Sequence, residues 1–168
     1  YDGGNPSSSV QSQLTTGVKT IYSSEHAFAA LKTDGTVVAW GTTNGSSNGM
    51  DMSAPAGLTN VQAIYSTNYA FAALKTDGTV VAWGSSNYGG DASSVQSQLT
   101  DVKVISSSWA AYAALKTNGS VVAWGDSSYG GDASSVQSQL TDVTTIYSTG
   151  RAFAALKTDG SVVAWGES

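Results

Sequence analysis

Apolar and polar residues follow a pattern that returns four times along the chain. It is clearest in "AFAALKTDGTVVAWG", which occupies residues 27–41 and 70–84 and recurs with one to three changes at 111–125 and 152–166. The Trp near the end of each copy lies 43, 41 and 41 residues after the previous one. Periods of about 40–45 residues, with several strands in each unit, are typical of the blades of a β-propeller.

Each unit contains three predicted strands. The first, "VKTIYS" at 18–23 in unit one, alternates apolar and polar residues as a half-buried strand does. The second, "AFAALK", is almost wholly apolar, which predicts a strand buried on both faces. Asp-Gly or Asn-Gly then separates it from "TVVAWG", and these residues favour a tight hairpin because they tolerate positive φ. We therefore predict an all-β propeller of four blades of about 41–43 residues, each with three to four antiparallel strands.

The segment between successive hairpins gives a weaker signal. In "SSNYGGDASSVQSQLTD" at 85–101, the part "SVQSQL" favours a short outer strand. The alternative is a single capped helical turn, because Val95 and Leu99 are four residues apart. The second unit replaces this segment with a loop at 42–60, which places it at the periphery.

The chain is predicted to be one domain, 1–168, with units at roughly 1–41, 42–84, 85–125 and 126–166. Setting its last residues, "WGES", before its first fourteen nearly reproduces residues 124–140. We therefore expect the N-terminal segment to complete the last blade. Three alternatives stay open for the ring: a self-closed ring of four blades, a homodimer that completes an eight-bladed ring, or a fragment of a longer repeat protein.

Composition narrows the classes of function. The net charge is −5 and only seven residues are Lys or Arg, which argues against nucleic acid as a partner. The absence of cysteine excludes disulfides and thiolate metal sites. No apolar run approaches the roughly 20 residues of a membrane-spanning helix, so no membrane partner is expected. The near-identical units indicate recent duplication or deliberate construction, and a secreted or cell-surface bacterial protein is favoured.

The pattern "V-x-x-I-x-S-x-x-x-A-F-A-A-L-K-T-D-G-T-V-V-A-W-G-x-x-x-Y-G-G" resembles the repeat of the regulator of chromosome condensation family. The resemblance covers nearly the whole chain and implies β-propeller blades. The units here are shorter than is usual in the family, and the family's loop His survives only as His26. Some eukaryotic members act on small GTPases and chromatin, but the sequence matches no surface for either. The resemblance therefore implies the fold and not that activity.

Two positions just before each repeated stretch differ in every unit: Glu25–His26, Asn68–Tyr69, Trp109–Ala110 and Gly150–Arg151. Equivalent loops of a propeller come to the same face, so we expect these residues to cluster near the axis or one rim. Large aromatic, charged and amide side chains on loops of a rigid scaffold are typical of binding sites, although neutral variation at exposed loop tips is the alternative. The predicted ligand- or partner-binding residues are Glu25, His26, Asn68, Tyr69, Trp109 and Arg151.

Other candidate residues favour structural roles. The Trp of each repeat is expected in the core, whereas Trp109 stands outside that register. Tyr88 and Tyr129, with Tyr1 near the equivalent place, are interpreted as loop anchors or ligand contacts.

No catalytic or metal chemistry is expected. Asp91 and Asp132 lack calcium-loop spacing, so no metal or cofactor is predicted. One His, no Cys and two Glu leave no recognisable catalytic pair. The predicted function is a non-enzymatic repeat scaffold or recognition module that binds a protein or glycan partner through variable loops on one face. The alternative is a carbohydrate- or small-ligand-binding, lectin-like propeller.

Overall fold

The computed structural model describes residues 4–42 and 52–167. Within them, the strands form four three-stranded antiparallel sheets, each with its strands in chain order. We call these sheets blades 1 to 4. The strands are β1 (Val18–Ser23), β2 (Ala27–Lys32), β3 (Val37–Gly41), β4 (Val61–Ser66), β5 (Ala70–Lys75), β6 (Val80–Gly84), β7 (Val102–Ser107), β8 (Ala111–Lys116), β9 (Val121–Gly125), β10 (Val143–Ser148), β11 (Ala152–Lys157) and β12 (Val162–Gly166). The predicted four-blade, all-β architecture is confirmed.

An aromatic pair packs across the second and third strands of each blade. Phe71 lies opposite Trp83 with ring centroids 5.3 Å apart, and Tyr112 lies opposite Trp124 at 5.0 Å. Cross-strand aromatic pairs stabilise a sheet because they bury large apolar surfaces at one place. Trp83, Trp124 and Trp165 are all buried, so the predicted core role of the repeated Trp is confirmed in these three blades.

The repeated hairpin turn also joins one blade to the next. In blade 2, Gly78 has φ +79°, and Asp77 Oδ1 accepts hydrogen bonds from the Thr79 hydroxyl (2.6 Å) and N–H (3.0 Å). These two bonds lower the pKa of Asp77 below its ordinary value. The Gly78 carbonyl accepts a hydrogen bond from the N–H of Val102, the first residue of blade 3. The turn therefore closes the hairpin of blade 2 and also connects blade 2 to blade 3.

The hydrophobic core lies in the joints between successive blades. At the joint of blades 2 and 3, Leu74 and Val80 pack with Ile105 and Trp124, and Leu99 comes from the connecting segment. The same arrangement occurs at the other two joints. The first strands of successive blades, β1, β4, β7 and β10, contact one another in turn. They are therefore the inner strands, and their ends lie next to one another around a common axis.

The segment predicted as an outer strand is helical, so that prediction is wrong. Ser8–Gln13 forms the helix α1, and 3-10 helices lie at Gln96–Gln98 and Gln137–Gln139. The physical reason is the spacing of Val95 and Leu99, which places both apolar side chains against the joint between blades 2 and 3. The helical alternative accounts for this segment, and each blade has three strands.

Some sequence predictions remain untested. The four unit boundaries and the completion of the last blade by the N-terminal segment stay predictions. Tyr1 and residues 43–51 of the loop at 42–60 lie outside the described residues. Among the helices that the structure describes, none is long and apolar enough to cross a membrane.

Candidate partner-binding site

The ends of the inner strands surround a groove of about 490 Å³, which we call the axial groove. Every blade contributes the last residue of its inner strand and the two residues that follow. The lining residues are 23–25, 66–68, 107–109 and 148–150. The groove therefore contains the first member of each variable pair identified in the sequence.

Hydrogen bonds between backbones hold the four loops in a row. The Glu25 N–H donates to the Asn68 carbonyl (3.0 Å), the Asn68 N–H donates to the Trp109 carbonyl (3.0 Å), and the Trp109 N–H donates to the Gly150 carbonyl (2.9 Å). Because each loop is bonded to the next, their spacing depends on main-chain geometry rather than on side-chain identity. Side chains at these positions can therefore differ from blade to blade on a fixed frame.

Buried hydroxyl groups tie the floor of the groove to the connecting segments. Thr67 Oγ1 donates to the Tyr88 carbonyl and Ser108 Oγ donates to the Tyr129 carbonyl, each at 2.8 Å. Both hydroxyl-bearing residues are buried. The two tyrosines thus lie in segments that are anchored to the groove, which supports their interpretation as loop anchors.

Trp109 is the largest exposed side chain of the groove, with 51% of its surface accessible. A Cβ atom on Gly150 would lie 2.7 Å from Trp109 Cε2, so glycine at that position leaves room for the indole. The Arg151 guanidinium lies 5.5 Å from the Trp109 ring centroid and 5.4 Å from that of Tyr129. It also contacts both carboxylate oxygens of Glu167 at 2.7 and 2.8 Å, which raises the pKa of Arg151 further. The positive charge of Arg151 is therefore paired.

A second cluster lies at the blade 1 end of the groove. His26 stacks on Tyr69 with ring centroids 5.6 Å apart, and Tyr69 meets the ring of Tyr88 edge-on at 4.6 Å. Glu25 Oε1 lies 3.8 Å from His26 Nε2. Burial, followed by a hydrogen bond to the Glu25 carboxylate, raises the pKa of Tyr69. The Glu25 carboxylate of blade 1 therefore contacts the Tyr69 side chain of blade 2.

The six predicted site residues thus fall into two sets. One set lines the axial groove: Glu25, Asn68 and Trp109. The other set stacks on rings beside it: His26, Tyr69 and Arg151. Ala110, which forms a variable pair with Trp109, is buried.

Sequence reasoning missed the contributions of Gly150 and Glu167. Gly150 could be recognised as a variable position from the sequence. Its role, which is to leave room for the Trp109 indole of the preceding blade, depends on the structure. Glu167 follows the repeated stretch, at a position that also varies among the units. Within residues 4–42 and 52–167, no cluster of three or more His, Asp or Glu could hold a metal ion.

Comparison with known proteins identifies the repeat. Residues 102–130, which contain β7 to β9, match the family model of the regulator of chromosome condensation (RCC1) repeat. The third of the four units is therefore similar to an RCC1 repeat. Among the curated proteins, none matches its sequence.

Solved structures show the same propeller fold. Yeast RCC1 (Prp20), in its complex with Kap60, aligns with 89% of this chain and 42% of its own length, with a TM-score of 0.61 and 18% identity. Human WBSCR16 aligns with 89% of this chain and 47% of its own, with a TM-score of 0.60 and 20% identity. The ectodomain of the receptor kinase CR4 from Physcomitrella patens gives a TM-score of 0.58 at 17% identity, over 89% of this chain and 40% of its own. The chain therefore spans less than half the length of these three proteins.

Proposed function

We propose that this chain is a non-enzymatic, protein-binding module that holds an extended segment of its partner in the axial groove. The single observation that carries the proposal is the half-exposed indole of Trp109 on a groove whose frame is fixed by main-chain hydrogen bonds. Binding energy at protein interfaces is concentrated in such aromatic anchors on rigid scaffolds. The titles of similar structures agree with this class of function: yeast RCC1 (Prp20) is bound to Kap60, and Prp20p is described with its binding to Gsp1p and histones.

The charge of the groove indicates the chemistry of the segment. Glu25 is the one charged residue among the lining residues that the structure describes. The nearby Arg151 is already paired with Glu167. The remaining lining side chains offer hydroxyl and amide groups. A segment with a Lys or Arg beside an apolar residue would place its charge at Glu25 and its apolar side chain at Trp109.

Selection of random linear peptides displayed against the intact chain tests this proposal. We expect enriched peptides to carry a basic residue near an apolar one. Trp109→Ala should weaken their binding about 30-fold, since an aromatic anchor contributes about 2 kcal/mol or more. Glu25→Gln should weaken binding several-fold and reduce its dependence on salt.

Val104→Ala is the matched control, because Val104 is a partly exposed apolar residue on the strand that leads to Trp109 but lies outside the groove. It should leave peptide binding unchanged. Selected peptides that bind Trp109→Ala and the parent chain equally would refute the proposal. Binding of a sugar at millimolar concentration that disappears in Trp109→Ala, with no peptide selected, would refute it in favour of the lectin-like alternative.

A further inference from the structure

We propose that two copies of this chain associate head to tail, so that the free face of blade 4 of each copy packs on the free face of blade 1 of the other. The product would be a closed ring of eight blades. In the described structure Ile21 of blade 1 and Val162 of blade 4 are both exposed, so these two blades do not pack on each other. The four blades therefore form an open arc and not the self-closed ring considered from the sequence. Three features of the two ends of this arc point to a second copy.

The first feature is apolar surface that is buried at every internal joint and exposed at the ends. Ile21 on blade 1 is 57% exposed, whereas its counterpart on blade 2, Ile64, is 2% exposed. Val162 on blade 4 is 61% exposed, whereas its counterparts Val80 and Val121 are 0% and 1% exposed. Each end therefore presents an unpaired half of a joint.

The two halves carry the same residues as a joint that already exists in the molecule. The strand residues through which blade 1 packs on blade 2 are Tyr22, Ala27, Ala29, Leu31, Val37 and Ala39. Blade 4 has the same residue types at the equivalent positions, which are Tyr147, Ala152, Ala154, Leu156, Val162 and Ala164. The strand residues of blade 2 that contact blade 1 are Val61, Ile64, Phe71, Ala73, Val81 and Trp83. Blade 1 has the same residue types at the equivalent positions, which are Val18, Ile21, Phe28, Ala30, Val38 and Trp40. The strands of a second copy would thus bring to the new joint the residue types that the strands of blades 1 and 2 bring to theirs, whereas Met52 and Leu58 of the connecting segment belong only to the internal joint.

The second feature is the hairpin turn of blade 4. In the first three blades, a Cβ atom on the turn glycine would lie 3.1–3.3 Å from the backbone of the next blade's first residues, as at Gly119 and Asp142. The equivalent Gly160 has nothing within 4 Å. The carbonyl of Gly119 accepts a hydrogen bond from the Val143 N–H, the first residue of the following blade. In the dimer, Gly160 would meet Val18 of the second copy in the same way.

The third feature is the row of main-chain hydrogen bonds at the axis. It runs from Glu25 through Asn68 and Trp109 and ends at Gly150. A head-to-tail partner would extend it from Gly150 of one copy to Glu25 of the other. Because the joint between copies is heterologous, it closes when the two arcs together complete a full turn.

Solution mass is the first test. We expect light scattering to give twice the chain mass of 17.1 kDa, about 34 kDa, for the parent chain. Val162→Glu should give a folded monomer, since it places a carboxylate in the apolar joint. Val104→Glu, an equivalent change at a partly exposed strand position away from both free faces, should remain dimeric. A monomeric parent chain, or open polymers of unlimited mass, would overturn the proposal.

Cross-linking tests the direction of pairing, and the absence of natural cysteine makes it specific. In a head-to-tail dimer, Ile21 of one copy approaches Val162 of the other. A mixture of Ile21→Cys and Val162→Cys chains should therefore give cross-linked dimers with a short thiol-reactive linker, whereas either variant alone should not. Efficient cross-linking of Ile21→Cys with itself would show head-to-head pairing and contradict the inference.

Discussion

The Tyr112→Phe substitution tests two effects of the buried Tyr112 hydroxyl group on stability. One is its hydrogen bonding at neutral pH, and the other is its ionisation at alkaline pH. Tyr112 is fully buried, and it occupies the place that Phe71 and Phe153 hold in blades 2 and 4. The fold therefore accepts phenylalanine there without repacking. The Tyr112 hydroxyl donates to the Ala70 carbonyl (2.9 Å) and accepts from the Thr67 N–H (3.1 Å).

The expected cost at neutral pH is small. The Thr67 N–H also donates directly to the Ala70 carbonyl at 3.0 Å, so neither backbone group loses its only partner when the hydroxyl is removed. The variant should therefore lose about 1 kcal/mol in the free energy of unfolding, the net value of an ordinary buried hydrogen bond. A loss above about 3 kcal/mol would show that one of the two groups had been left unsatisfied.

The sign of the difference should change at alkaline pH. Burial raises the pKa of Tyr112 well above its ordinary value of 10.0. The unfolded chain ionises this group near pH 10, whereas the folded chain keeps it protonated, so its stability contribution is present below that pH and is lost as the pH rises. The loss at pH 11 is about 1.4 kcal/mol. The Tyr112→Phe variant has no such group to ionise. Its free energy of unfolding at pH 11 should therefore equal or exceed that of the parent chain.

Urea unfolding followed by tryptophan fluorescence, at pH 7.5 and pH 11, measures both values. The other titrating groups are shared by the two proteins and cancel in the difference. Tyr88→Phe removes a hydroxyl from a half-buried ring outside the blades and should change stability by a few tenths of a kcal/mol. If the difference between the parent chain and Tyr112→Phe were the same at both pH values, the argument from burial would be refuted.

Two further pairs of substitutions each compare two positions of the chain, both in a monomeric background. Trp124→Phe removes the hydrogen bond to the Gly89 carbonyl and should destabilise the chain by at least 1 kcal/mol more than Trp40→Phe, because the buried Trp40 N–H has no acceptor among the described residues. Equal losses in urea unfolding would contradict this. Gly89→Ala should cost about 3 kcal/mol, because φ is +86° and the new Cβ would lie 2.7 Å from an aromatic carbon. Gly160→Ala, with φ +83° and open space, should cost only about 1 kcal/mol, and thermal unfolding compares the two.

The blades could be predicted from the sequence because their signals are local. Period-two alternation in β1, the apolar run of β2 and the Asp34–Gly35 turn each depend on residues close together in the chain. The connecting segment was harder because six residues with apolar positions four apart fit a strand or a helical turn almost equally well. Only the joint, which receives Val95 and Leu99 on one side, decides between them.

The candidate site could be predicted as a set of positions but not as a set of contacts. Variation at Trp109 and at Gly150–Arg151 was visible in the sequence. That the indole occupies the space left by Gly150 and lies under the Arg151 guanidinium depends on packing between two blades. Glu167 completes the arrangement from sixteen residues further along the chain.

The sameness of the blades and the variety of their loops follow from different constraints. A joint residue such as Leu74 must fit the face of the next blade, so a change in one blade is tolerated only with a matching change in its neighbour. Duplicated units satisfy this condition without adjustment. A groove residue such as Asn68 is positioned by its main chain, and its side chain is limited only by the adjacent loop. The pairing of Trp109 with Gly150 shows this lesser constraint. Recognition can therefore diversify in the axial groove while every joint keeps the same residues.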